Sequence, residues 1–194
     1  MKLLLAATLV LTLSSMALAA QDSQELGPYT VSFDLNANYQ VQFGQPMQSE
    51  IANAYSMRLF VDNSTAAVIG ITEYAQPTDA TLKVHESMMA MSMLMREGLN
   101  VTSVEDMSID GMNGFLFASE PIEAVAGAPG TVYKAMYWLD SQDCECGPVS
   151  VGTTSVIVTS SFPLDVTKGL LSSLHVVKGA SATSTQGGQV LPPT

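Results

Sequence analysis

Basic side chains are scarce. Seven Lys and Arg stand against 18 Asp and Glu, giving a formal net charge of −11. That balance makes nucleic acid and anionic membrane surfaces poor partners, since neither attracts such a surface. Histidine and cysteine are equally sparse, limited to His85, His175, Cys144 and Cys146. No G-x-S-x-G elbow, H-E-x-x-H pair, glycine-rich phosphate loop or C-x-x-C occurs. The expectation is therefore a protein that is not an enzyme and calls for no cofactor. The remaining enzymatic reading is a hydrolase whose triad forms only in three dimensions, from His85 or His175 with a Ser and a carboxylate. Beyond the first 20 residues no apolar run is long enough to span a bilayer, so no integral membrane domain is expected once that segment is removed.

What is present starts with that segment. MKLLLAATLVLTLSSMALAA carries one Lys before an apolar stretch ending in small residues, the pattern of a secretory signal peptide over residues 1–20. An uncleaved N-terminal anchor is the competing reading, weakened by Ser14 and Ser15. Cleavage would take Lys2 and leave a secreted chain of formal charge about −12. Charged residues make up only 13% of the chain and hydrophobic ones 47%, which supports a folded body. Residues 21–28 read as a polar leader, 29–178 as a single domain, and 179–194, rich in Gly, Ser and Thr, as a flexible tail. Asn63 and Asn100 open glycosylation sequons.

Between these ends, short alternating runs dominate. Residues 29–34 and 39–43 alternate around an Asn-rich link and predict a first hairpin. Tyr55, Met57, Leu59 and Val61 alternate, Asp62-Asn63-Ser64 turns, and 66–73 returns as a second hairpin. Residues 78–98 predict a helix, with Thr78 or Asp79 as N-cap, Arg96 near the negative end of the dipole and Gly98 as the stop. Residues 101–109 and 115–119 predict a third hairpin, turned by Asp110-Gly111 and Asn113-Gly114. Residues 131–139 and 154–160 predict two more strands around a cysteine-bearing loop, and 163–174 a second helix with His175 near its end. The fold class expected is α+β, with about eight antiparallel strands in hairpins and two helices packed on the sheet faces, an α/β sandwich.

The stretches YTVSFDLNANYQVQF, SIDGMNGF, YKAMYWL and SSFPLDVTKGLLSSL, in this order around a central helix, resemble the PsbP-like and DcrB-like α-β-α sandwich superfamily. That resemblance covers roughly residues 29–177 and implies an accessory or binding role without a shared catalytic motif.

The central helix holds five methionines. At 100° per residue, Ala80, Val84, Met88, Met91 and Met95 share one stripe, with Leu94 at its edge, and this stripe is expected to face the core. Met89 and Met93 line up with His85 elsewhere, forming with Leu82 a candidate surface for a protein or cell-envelope component. His85 and Met89 also suit Cu(I) in an oxidising compartment, the alternative being an extracytoplasmic metal-handling protein that uses these or the cysteines. Packing under a loop is the competing explanation for the same residues. Cys144 and Cys146 are a candidate disulfide that would pin their loop. Asp140, Asp143 and Glu145 offer carboxylates for Ca²⁺, but no EF-hand spacing, so a solvated acidic loop is expected.

Overall fold

The computed structural model describes residues 21–123, 127, 129–144 and 149–179. The expected signal peptide, Glu145, Cys146 and residues 180–194 of the expected tail lie outside them. The described elements are β1 (Asp22–Leu26), β2 (Tyr29–Phe33), β3 (Gln40–Phe43), β4 (Met47–Gln48), β5 (Ala52–Phe60), β6 (Ala66–Asp79), α1 (Leu82–Arg96), β7 (Leu99–Ile109), β8 (Met112–Pro121), β9 (Val132–Trp138), β10 (Gln142–Asp143), β11 (Ser150–Ser160), α2 (Leu164–Ser173) and β12 (His175–Lys178).

They form an α+β sandwich of antiparallel sheets. A small sheet has the order β1-β2-β12, and a large one the order β3-β5-β6-β11-β9-β8-β7, with β4 and β10 paired at its margins. Turn chemistry explains the hairpins. Between β5 and β6, Asp62 Oδ1 accepts the Ser64 and Thr65 N–H groups at 2.8 and 2.7 Å and the Ser64 hydroxyl at 2.8 Å. These bonds, the Ser64 hydroxyl first, hold the Asp62 carboxyl below its ordinary pKa. Between β7 and β8, Ile109 pairs with Met112 across Asp110 and Gly111. Both turn residues take left-handed φ values of 54° and 75°, as a tight hairpin requires. Asn113-Gly114 does not turn the chain and lies inside β8.

Several expectations are corrected. Residues 22–26 of the supposed leader are β1, paired to β2 through a turn in which Gly27 has φ 62°. β2 and β3 do not form a hairpin: β2 pairs with β1 and β12, whereas β3 pairs with β5. Val31 and Val41 alternate alike because both turn toward one core, from opposite layers, and alternation cannot tell which layer a strand occupies. β6 runs on to Asp79, so α1 begins at Leu82 behind Thr81 rather than behind Thr78 or Asp79. His175 opens β12 rather than trailing α2.

The large sheet has two unlike faces. One carries Leu59, Ile69, Ile71, Val158, Tyr137 and Leu116, all buried, and meets Tyr29, Val31, Phe33 and Val176 of the small sheet and Leu170 and Leu171 of α2. Burying each such side chain is worth about 1.5–3 kcal/mol, so this layer supplies most of the folding energy. The other face carries Phe115, Phe117, Met136, Trp138 and Ile157, and its helical cover is α1, leaning chiefly on β7 and β8.

Candidate functional site

Helix α1 is fixed at both ends. At its start Thr81 N–H donates to Asp79 Oδ1 at 2.8 Å, and Thr81, hydroxyl first and then N–H, holds the Asp79 carboxyl below its ordinary pKa. The His85 Nε2–H donates to the Asp79 carbonyl at 2.6 Å, and its ring sits 5.3 Å from Trp138. At its end, buried Lys134 on β9 reaches both Glu97 oxygens at 2.6 and 2.7 Å, tying the helix C-terminus to the sheet.

Between these anchors the helix turns the opposite way from the expectation. Met93 is fully buried, and Leu82, Met89 and Ala90 pack with it against Phe115, Phe117, Met136 and Trp138. Met88, Met91 and Met95 are 63%, 63% and 75% exposed, alongside Val84 and Leu94. Of the stripe assigned to the core, Ala80, which precedes the helix, is buried, but Val84, Met88, Met91 and Met95 face outward, and the Leu82, His85, Met89 and Met93 line assigned to a partner faces the sheet. Both stripes are apolar, so periodicity shows that there are two and not which one is covered. One neglected signal was Ala90, whose small side chain suits the close approach to a sheet that a core face needs.

Beside α1 the sheet is open. A groove of about 690 Å³ is walled by His85, Met88, Met89, Ser92, Met95 and Arg96 on one helix flank. Its floor is Tyr74 and Thr72 of β6, Ser155 and Ile157 of β11, and Met136 and Lys134 of β9. It is apolar in the middle and ends at Arg96, Lys134 and Glu97, the last two of which are ion-paired with each other. The register carries the same face further, through Ser56 opposite Gly70 and Arg58 opposite Val68, onto β5. Val68 remains exposed there.

The other sequence candidates fall elsewhere. Cys144 is disulfide-bonded, and Cys146 lies outside the described residues. Asp140 is not a loose carboxylate: Thr153, the extra residue of a β-bulge in β11, and Thr154 donate their N–H groups to it at about 3.0 Å, and the Thr153 hydroxyl joins them. Asp143 accepts the Ser150 hydroxyl at 3.1 Å. Asn63, in the β5–β6 turn, and Asn100, on β7, are exposed. Among the described residues no group of three or more His, Cys, Asp and Glu side chains is arranged to hold a metal, and His85 has one ring nitrogen committed to Asp79.

A second cavity, of about 540 Å³, was not foreseen. At its rim His175 Nδ1 lies 2.5 Å from Asp110 Oδ1, and Asp110 Oδ2 accepts the Val176 N–H at 2.9 Å. The Tyr29 hydroxyl lines it, and burial raises that phenol above its ordinary pKa, with Thr154 opposing the rise. Burial, followed by the Asp110 charge, does the same to Tyr137. The hydroxyl-bearing neighbours of His175 in this cavity are Tyr29, Thr153 and Thr154 rather than a serine.

No family model, curated protein or solved structure matches the chain. No described helix is long and apolar enough to cross a membrane.

Proposed function

We propose that the protein is a secreted, non-enzymatic binding or accessory factor whose recognition surface is the outward flank of α1 and the groove beside it. The observation that carries this reading is the exposure of Val84, Met88, Met91, Leu94 and Met95 on one helix. Soluble domains rarely leave so contiguous an apolar strip in water unless something covers it, and unbranched methionine adapts to a partner's shape at low cost. The signal-like residues 1–20 and the PsbP-like pattern support the compartment and the accessory role. The partner, a protein or envelope component, meets the Met88, Met91 and Met95 side of α1 rather than Met93, which is buried.

The test is site-specific photocrosslinking in the native host, with p-benzoylphenylalanine replacing Met91 in one strain and Val177, exposed on β12, in another. A discrete adduct from the Met91 position and none from Val177 is the expected result. Equal smears from both, or no adduct from either, would refute the assignment.

A further inference from the structure

The binding reading above is the basis for a narrower one. We propose that the groove accepts an amphipathic α-helix of a partner protein, apolar along its centre and acidic on both flanks, laid beside α1 as a second helix of that layer.

The space has the dimensions of a helix. Seven main-path strands spaced about 4.8 Å apart make a sheet about 29 Å wide, whereas one helix with its side chains covers about 10–12 Å. α1 leans on β7 and β8, and its groove-side flank stands over β9. The strip formed by β11, β6 and β5 is thus about one helix wide. α1 itself has 15 residues, or about 22 Å, which sets the length of a partner packed alongside it.

The floor suits close packing. Ser56, Gly70 and Ile157 stand in register across β5, β6 and β11, as do Ala54, Thr72 and Ser155. Small side chains there let a helix axis approach the sheet. A Cβ built on Gly70 would meet nothing nearer than 3.8 Å, so the space above it is empty.

Charge selects the partner. The four described lysines, Lys83, Lys134, Lys168 and Lys178, are all paired with carboxylates of the chain. The two arginines, Arg58 and Arg96, have no carboxylate partner among the described residues, and they stand on opposite borders of the bare strip. Arg58 lies over the Phe60 ring at 5.1 Å. A chain of charge −11 that places both of these arginines on one face presents a local complement to an acidic ligand. A fatty-acyl amphiphile has one anionic head and would engage one border. Two cationic borders with an apolar line between them match a helix with two acidic flanks.

The test uses the mature chain and two fluorescent peptides, each 15 residues long to match α1. They share a leucine face and differ only in carrying Glu or Lys on their flanks; oleate is titrated in parallel. The overall charge of the protein favours the Lys peptide, so preference for the Glu peptide reports the local site. We expect the Glu peptide to bind about tenfold more tightly by anisotropy. The R58S/R96S double variant should lose that preference. Gly70→Tyr, with unchanged thermal unfolding, should weaken both peptides by filling the floor. The proposal is overturned if the Lys peptide binds better, if the preference survives in R58S/R96S, or if oleate alone binds in an arginine-dependent way. Self-association that R58S/R96S abolishes would overturn it too, in favour of a second copy of this chain. A discrete Met91 adduct without Glu-peptide preference would remove the helix and leave the binding reading standing.

Discussion

The two faces of the large sheet are built from the same strands, residue by residue in alternation, yet they end in different states. On one, Met57, Leu59, Ile69, Ile71, Val156 and Val158 are buried beneath the small sheet and α2. On the other, α1 closes over Phe115, Phe117 and Met136, while Val68 is exposed and the small residues of β5 and β6 are only half-buried. A sealed face is constrained on all sides and contributes stability. A half-sealed face contributes less, but it keeps the freedom to meet something else. The contrast separates where this protein stores its folding energy from where the proposed partner would bind.

The separation is broken most directly by removing one large side chain from each layer. Phe33, fully buried between the small sheet, the large sheet and Tyr39, should cost about 3–5 kcal/mol as Phe33→Ala, because neighbours on every side prevent collapse of the cavity. Met93→Ala, equally buried, should cost about 2–3 kcal/mol, since a layer covered by one helix can relax into the space. Urea unfolding of both variants checks the ranking. If Met93→Ala proves the more costly, the α1 layer is as tightly constrained as the other, and the contrast between faces fails.

How much of this was legible in the sequence follows from what each signal measures. Period-two alternation, the Asp62-Asn63-Ser64 turn and Asp110-Gly111 are local, and they located β5–β6 and β7–β8. Layer assignment is not local: Val31 and Val41 look alike as text, and only the fold sends one to the small sheet and the other to the large. The same limit reversed α1. Met93 and Met95 are chemically identical, and the choice between them was made by Trp138, Phe115 and Phe117, which lie elsewhere in the chain. The groove was invisible for the same reason, because it is a shortage of cover and sequence records only what is there. The Asp110 to His175 pair joins residues 65 positions apart and carried no pattern that spacing could detect.

The smallest expected effect distinguishes the faces by sign. Gly114 belongs to the sealed side, where a Cβ would stand 2.6 Å from the Met136 carbonyl oxygen and 3.0 Å from Tyr137 Cβ, so Gly114→Val must displace the β9 backbone and destabilise the fold. Gly70 belongs to the open side, in mid-strand, with nothing within 3.8 Å of an added Cβ. Valine there restricts the unfolded chain and suits a pleated strand, so Gly70→Val should raise stability by about 0.5 kcal/mol. Paired unfolding curves for these two variants give opposite shifts if one face is full and the other is vacant. A loss at Gly70 comparable to that at Gly114 would mean that the strip is already occupied by the protein's own chain, and no partner helix could lie there.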